Sequence, residues 1–154
     1  MLEAVPLPSE WAVKSYNSKP YYLVELCKCS THDIDEYVQV ENHFDDYNVV
    51  KIERVQNPYQ YGKYLLYKLQ KDNPLEVIYF MPLEDKEQLQ TALRFNCDYR
   101  RLGHSRDKFF GSVSTAVSYC ASYKKIVIVQ ALRNYFTHDA GRYPKYVVTY
   151  ETYR

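Results

Sequence analysis

The chain has 154 residues, 46% of them hydrophobic, which is enough for one compact core and too little for two ordinary domains. Its 20 Lys and Arg side chains nearly balance 19 Asp and Glu, which excludes a global field drawing the protein onto nucleic acid or an anionic membrane. No apolar run approaches the roughly 20 residues that span a bilayer, and the opening MLEAVPLPSE lacks the charged and apolar regions of a signal peptide, so the expected compartment is intracellular, cytoplasmic or nuclear.

Residues 23–29 have strand character, and Ser30 or Thr31 caps a predicted helix over about 33–44, with Ile34, Tyr37, Val38 and Phe44 on one face. Residues 49–55 form the next strand. Asn57 followed by Pro58 supplies a helix cap and then a proline at the first helical position, where its missing N–H costs nothing. That helix is predicted to run to about residue 70, with Tyr61, Leu65 and Leu69 inward. Asp72, Asn73 and Pro74 break the chain before a strand at 76–81, which Pro82 ends. Residues 84–95 read as a helix that buries Leu89, Ala92 and Leu93, residues 100–108 as a polar loop, and residues 114–123 as a short helix. Two strands rich in β-branched and aromatic residues close the order, KIVIVQAL at 125–132 and KYVVTY at 145–150. The pattern predicts a single α+β domain over residues 1–154.

The four cysteines, Cys27, Cys29, Cys97 and Cys120, are expected to be reduced and buried. Cys27, Cys29 and His32 form a C-x-C-x-x-H cluster with three potential metal ligands, yet the strand-like surroundings turn both cysteines toward one core face. No second Cys/His pair follows at zinc spacing, so no metal is expected. The 18 tyrosines are the compositional oddity, suited to half-buried positions or to stacking surfaces. The four glycines, Gly62, Gly103, Gly111 and Gly141, are isolated and build no phosphate-binding loop. Cys120 or Ser118 with His104 or His138 is the only nucleophile and base pairing on offer, and no spacing supports it. The basic stretch RRLGHSRDK, with Arg100, Arg101, His104, Arg106 and Lys108, reads more simply as a solvated loop than as a phosphate contact.

Residues 47–68, YNVVKIERVQNPYQYGKYLLYK, resemble the strand-then-helix opening of the poly(ADP-ribose) polymerase (PARP) catalytic domain. Further segments resemble the same family in the same order. LPSEW at 7–11 is similar to the lead of its mono-ADP-ribosyltransferase branch, which includes the zinc-finger antiviral protein, and DEYVQVENHF at 35–44 to the helix before the first family strand. FNCDYRRLG at 95–103 is similar to a family turn, AVSYCASY at 116–123 to a helix whose tyrosine packs on nicotinamide, and PKYVVTYE at 144–151 to the late strand that holds the catalytic glutamate. The resemblance implies the PARP-like ADP-ribosyltransferase fold, with mixed, mainly antiparallel sheets and flanking short helices.

In active members a histidine holds the ribose of NAD, a following glycine holds the carboxamide through its backbone, a tyrosine stacks on nicotinamide and a glutamate polarises the ribose. Carried onto this chain, the histidine falls among Phe80, Met81 and Pro82, the tyrosine within residues 112–114 (Ser112, Val113, Ser114), and the glutamate at Tyr146. Neither of the first two windows contains His or Tyr, and a proline at the glycine's place removes the backbone donor. Only the later stacking tyrosine is kept, as Tyr119. Two lost hydrogen bonds at about 1 kcal/mol each and one lost ring stack at about 1 kcal/mol weaken NAD binding by roughly two or three powers of ten. The connection at 133–143 is much shorter than the family loop, and the chain stops at Arg154, about where a closing Tyr-Pro-Glu-Tyr strand is expected, so the natural protein either continues or has been trimmed. The resemblance therefore implies a domain without catalytic residues or cofactor, kept as a protein-interaction or scaffold module in an RNA-linked or antiviral complex. On that reading its partner is a protein, nucleic acid is reached through other parts of a longer protein, and no membrane is involved. The alternative it leaves is a weak mono-ADP-ribosyltransferase, or a reader of ADP-ribose or NAD that uses Tyr119.

Overall fold

A computed structural model of the protein describes residues 7, 8, 11, 19–72, 74–103, 108–120 and 122–152. Five strands, β1 (Tyr22–Glu25), β2 (Tyr47–Gln56), β3 (Glu76–Pro82), β4 (Lys125–Leu132) and β5 (Arg142–Thr152), form one sheet in the order β1-β2-β5-β4-β3. Every pairing in it is antiparallel. Four α-helices accompany it: α1 (Ile34–Glu41), α2 (Pro58–Leu69), α3 (Lys86–Arg94) and α4 (Val113–Tyr119). The expected α+β class is thus realised with one antiparallel sheet.

Side chains alternate across a strand, so the sheet separates two cores. On one face Ile52, Phe80, Ile126, Ile128, Tyr146, Val148 and Tyr150 meet Tyr37, Val40 and Phe44 from α1 and the turn after it, and Val113, Ala116 and Val117 from α4. On the other face Val55, Met81, Val127, Val129 and Val147 meet Leu89, Ala92 and Leu93 of α3. A third, smaller cluster joins Trp11 and Tyr64 of α2 to Leu132 and Tyr143. Pro82 is tolerated as the last residue of β3 because that strand lies at the edge of the sheet.

Several inward assignments shift. In α2 the buried residues are Gln60, Gly62 and Tyr64, while Leu69 is 72% exposed. The helix turns its polar side inward because the Gln60 amide is drawn to the Arg94 carbonyl (3.4 Å). In α1 Val40 takes the inward place expected for Val38, which is exposed. Cys27 and Cys29 are exposed, not buried, because β1 ends at Glu25 and the chain turns at Lys28 and Cys29, so strand alternation no longer governs them. Cys97 is buried.

The connection at 133–143 is held by Arg142, 3% exposed. Its Nε donates to the Asn96 carbonyl (2.9 Å), and the Asn96 amide donates back to the Arg142 carbonyl (3.1 Å). Asn96 sits at φ 56°, a left-handed conformation that asparagine tolerates well. Gly141 allows this loop to close, since a Cβ there would lie 2.0 Å from the Tyr135 carbonyl oxygen.

Candidate functional site

The positions carried over from the family do not form an open cleft. The registers of β3, β4, β5 and β2 line up Phe80, Ile128, Tyr146 and Arg54 in one rung, and Met81, Val127 and Val147 in the next. Adjacent rungs face opposite sides of the sheet. Phe80 and Tyr146 therefore share one core with Val113, whereas Met81 packs in the other among Leu83, Leu89, Leu93 and Val147. Phe80 is 4%, Met81 2% and Tyr146 7% exposed, and Pro82 is buried against the β4 register at Ile126. The residue of β5 that shares the Met81 face is Val147, whereas the glutamate position expected from the sequence, Tyr146, lies on the Phe80 face.

Ser112 and Ser114 are exposed at the start of α4, where the Ser112 hydroxyl caps the helix by accepting from Thr115 N (3.2 Å). Tyr119 ends the same helix, 57% exposed, with its ring stacked on Phe110 at 4.5 Å. Phe110 is tied to Phe80 by two backbone hydrogen bonds of 2.7 and 3.0 Å, so Tyr119 lies beside the β3 edge. His104 and Arg106 lie outside the described residues. Arg100 pairs with Asp98 (3.1 Å), and Arg101 stacks on Phe95 at 4.2 Å. The His138 Nδ1 accepts from Ala140 N (3.1 Å) and its ring stacks on Tyr67, whereas the Cys120 thiol is directed to the Leu83 carbonyl (3.0 Å), so the two are not paired. Among the described residues no group of three or more His, Cys, Asp or Glu side chains is placed to hold a metal. Among them, too, no helix is long and apolar enough to cross a membrane.

Sequence reading passed over a dense polar network around Arg54. Arg54 of β2, 4% exposed, sends Nε and Nη2 to the two oxygens of Glu36 on α1 (3.3 and 2.5 Å) and Nη1 to Gln56 Oε1 (3.3 Å). The Tyr146 hydroxyl donates to the same Glu36 carboxylate. Beside this network a cleft of about 290 Å³ opens between α1 and α2 on the Tyr146 side of the sheet. Trp11, Tyr61, Tyr64 and Tyr143 form its aromatic side, and Lys68, Glu76, Gln130 and Lys145 its polar side. The Tyr64 hydroxyl donates to Glu76 (2.6 Å), and Lys68 pairs with the same carboxylate (3.0 Å). Burial opposes ionisation of Glu76, but the Tyr64 and Lys68 hydrogen bonds and the Lys145 charge together outweigh it and hold its pKa below the ordinary value. Burial, then the bond to Glu76, pushes the Tyr64 hydroxyl the other way. Two signals for this cleft were present in the chain, an arginine in the inward alternation of β2 two residues after Ile52, and a carboxylate one helical turn after the Asp33 cap position.

Comparison with protein-family models gives no match. No curated protein matches the chain either.

Proposed function

We propose that this chain is a PARP-like domain that has lost NAD chemistry and acts through protein contacts, as a scaffold or interaction module in an RNA-linked or antiviral assembly. The observation that carries this reading is the filling of the sheet at the family's histidine position. Whether that place is Phe80, Met81 or Pro82, the residue is buried, and Phe80 and Met81 lie among apolar side chains. None of the three is a histidine, the exposed His43 ring that lies 5.5 Å from Phe80 comes from the turn after α1 and not from the strand, and Pro82 has no N–H for the carboxamide. On the β5 strand the candidates are Tyr146, whose hydroxyl is engaged by Glu36, and Val147, which is wholly buried. Neither supplies a carboxylate. Without differential stabilisation of the reacting ribose, rate is lost along with affinity.

Titration calorimetry with NAD and ADP-ribose tests the reading. Silence with both ligands at millimolar concentration is the expected result. One observation favours a second reading, a nucleotide reader: the Tyr119 ring is exposed and already stacked, which pre-orients it for another planar ring. Saturable heat with ADP-ribose that disappears in Tyr119→Ala establishes the reader and removes the scaffold-only account.

A further inference from the structure

We propose that the cleft between α1 and α2 binds a small planar ring bearing one anionic group. It lies on the Tyr146 face, away from Met81, and the inference stands independently of the lost NAD chemistry.

Its apolar side is prebuilt. Trp11 packs on Tyr61 at 5.3 Å and on Tyr143 at 6.5 Å, with the Trp11 and Tyr143 planes inclined by only 20°. The Tyr143 ring cannot swing away, because its hydroxyl donates to the Val55 carbonyl (2.6 Å) and accepts from Asn57 N (3.1 Å). Trp11 and Tyr143 are only 4% and 3% exposed, so they act as a fixed backing for the half-buried Tyr61, whose ring is the aromatic surface left to a ligand at little cost in side-chain entropy. A volume of about 290 Å³ sits at the low end of small-molecule sites and suits one or two fused rings.

Charge sets the sign of the ligand. The lining carries three cations, Arg54, Lys68 and Lys145, and two carboxylates, Glu36 and Glu76, while Asp33 stands behind Arg54 at 3.9 Å, so the sign turns on which cation is left without a close carboxylate. Arg54 is matched to Glu36 at 2.5 Å and Lys68 to Glu76 at 3.0 Å. Among the described residues Lys145 has no carboxylate within ion-pair distance, and its ammonium lies over the Tyr146 ring at 5.7 Å with only a longer-range pull on Glu76. Gln130 presents a second polar head to the cleft from β4, next to Tyr143 in the sheet register. An anion at Lys145 and Gln130, with its ring against Tyr61 where Trp11 backs it, uses both halves of the cleft at once. An aromatic carboxylate and a nucleoside monophosphate share this chemistry.

Ligand-observed NMR titration of the full chain with benzoate and with uridine monophosphate separates those sources, and phenyltrimethylammonium serves as the cationic control. Saturable binding of at least one anion at millimolar concentration or tighter is expected, and which of them binds identifies the source. Lys145→Gln should weaken that binding about tenfold while circular dichroism stays unchanged, and Trp11→Tyr should weaken it less. Preference for the cation overturns the proposal, as does an anion affinity that Lys145→Gln leaves intact, or the absence of saturable binding by either anion. If NAD itself gives heat, loss of that heat in Lys145→Gln assigns it to this cleft, and loss in Tyr119→Ala assigns it to the family position.

Discussion

Tyr146 and Tyr150 are four residues apart on the same face of β5, yet their hydroxyls have opposite fates. The Tyr146 hydroxyl completes the Glu36 and Arg54 network, whereas the Tyr150 hydroxyl is buried without a hydrogen-bond partner among the described residues, and burial pushes its pKa up to about 12. Tyr146→Phe should therefore cost about 1.5 kcal/mol, since it strips a bond from a carboxylate. Tyr150→Phe should cost nothing or stabilise by about 1 kcal/mol, because it removes an unsatisfied polar group and keeps the ring. Urea denaturation of the two variants checks the contrast, and equal losses contradict the assigned geometry. Glu76 gives a pH signature. Its folded pKa lies below the usual 4.5, so its contribution to stability is present above that pH and is lost as pH falls through the depressed value. Tyr64→Phe removes a bond to the ionised carboxylate, so the Glu76 midpoint followed by carboxyl NMR should rise and the acid-side loss of stability should shrink.

At the scale of elements, every residue of the segment RVQNP has a structural task. Arg54 anchors α1 through Glu36, Val55 enters the α3 core, and Gln56 accepts from Arg54. Asn57 caps α2 by accepting from Gln60 N (3.1 Å), while its amide donates to the Leu93 carbonyl at the end of α3 (3.1 Å). Pro58 opens the helix. Each residue is thus occupied in joining β2, α1, α2 and α3. Asn57→Ala should cost about 2 kcal/mol, from a lost cap and an abandoned buried carbonyl. Asp85→Ala, which removes only the exposed cap on Gln88 N, should cost about 1 kcal/mol. Thermal denaturation of both decides whether Asn57 has this double role. The signals for these elements were local, so sequence placed them well: β4 falls at the expected 125–132, and α3 buries the expected Leu89, Ala92 and Leu93. β5 was underestimated because Arg142, Tyr143 and Pro144 precede a bulge near Lys145 and do not continue the alternation that follows it.

At the scale of the molecule, sheet order was not legible, because it rests on pairings such as that of β2 with β5, nearly a hundred residues apart. The same gap blurred the site. Moving one residue along a strand moves a side chain to the opposite face, so Tyr146 and Val147, or Phe80 and Met81, read as near equivalents in the sequence and belong to different cores in the fold. The cleft between α1 and α2 was invisible for a similar reason, since Glu36, Arg54, Gln130 and Tyr143 meet only once four separate segments are assembled. The proposed loss of NAD chemistry rests on a sheet that is packed at Phe80, Met81, Tyr146 and Val147 alike. Incubation of the purified chain with labelled NAD, followed by autoradiography of the protein and of an added acceptor protein, tests this central claim most directly. The account predicts no transfer of label to either; label on either protein that is lost in Tyr119→Ala would contradict it.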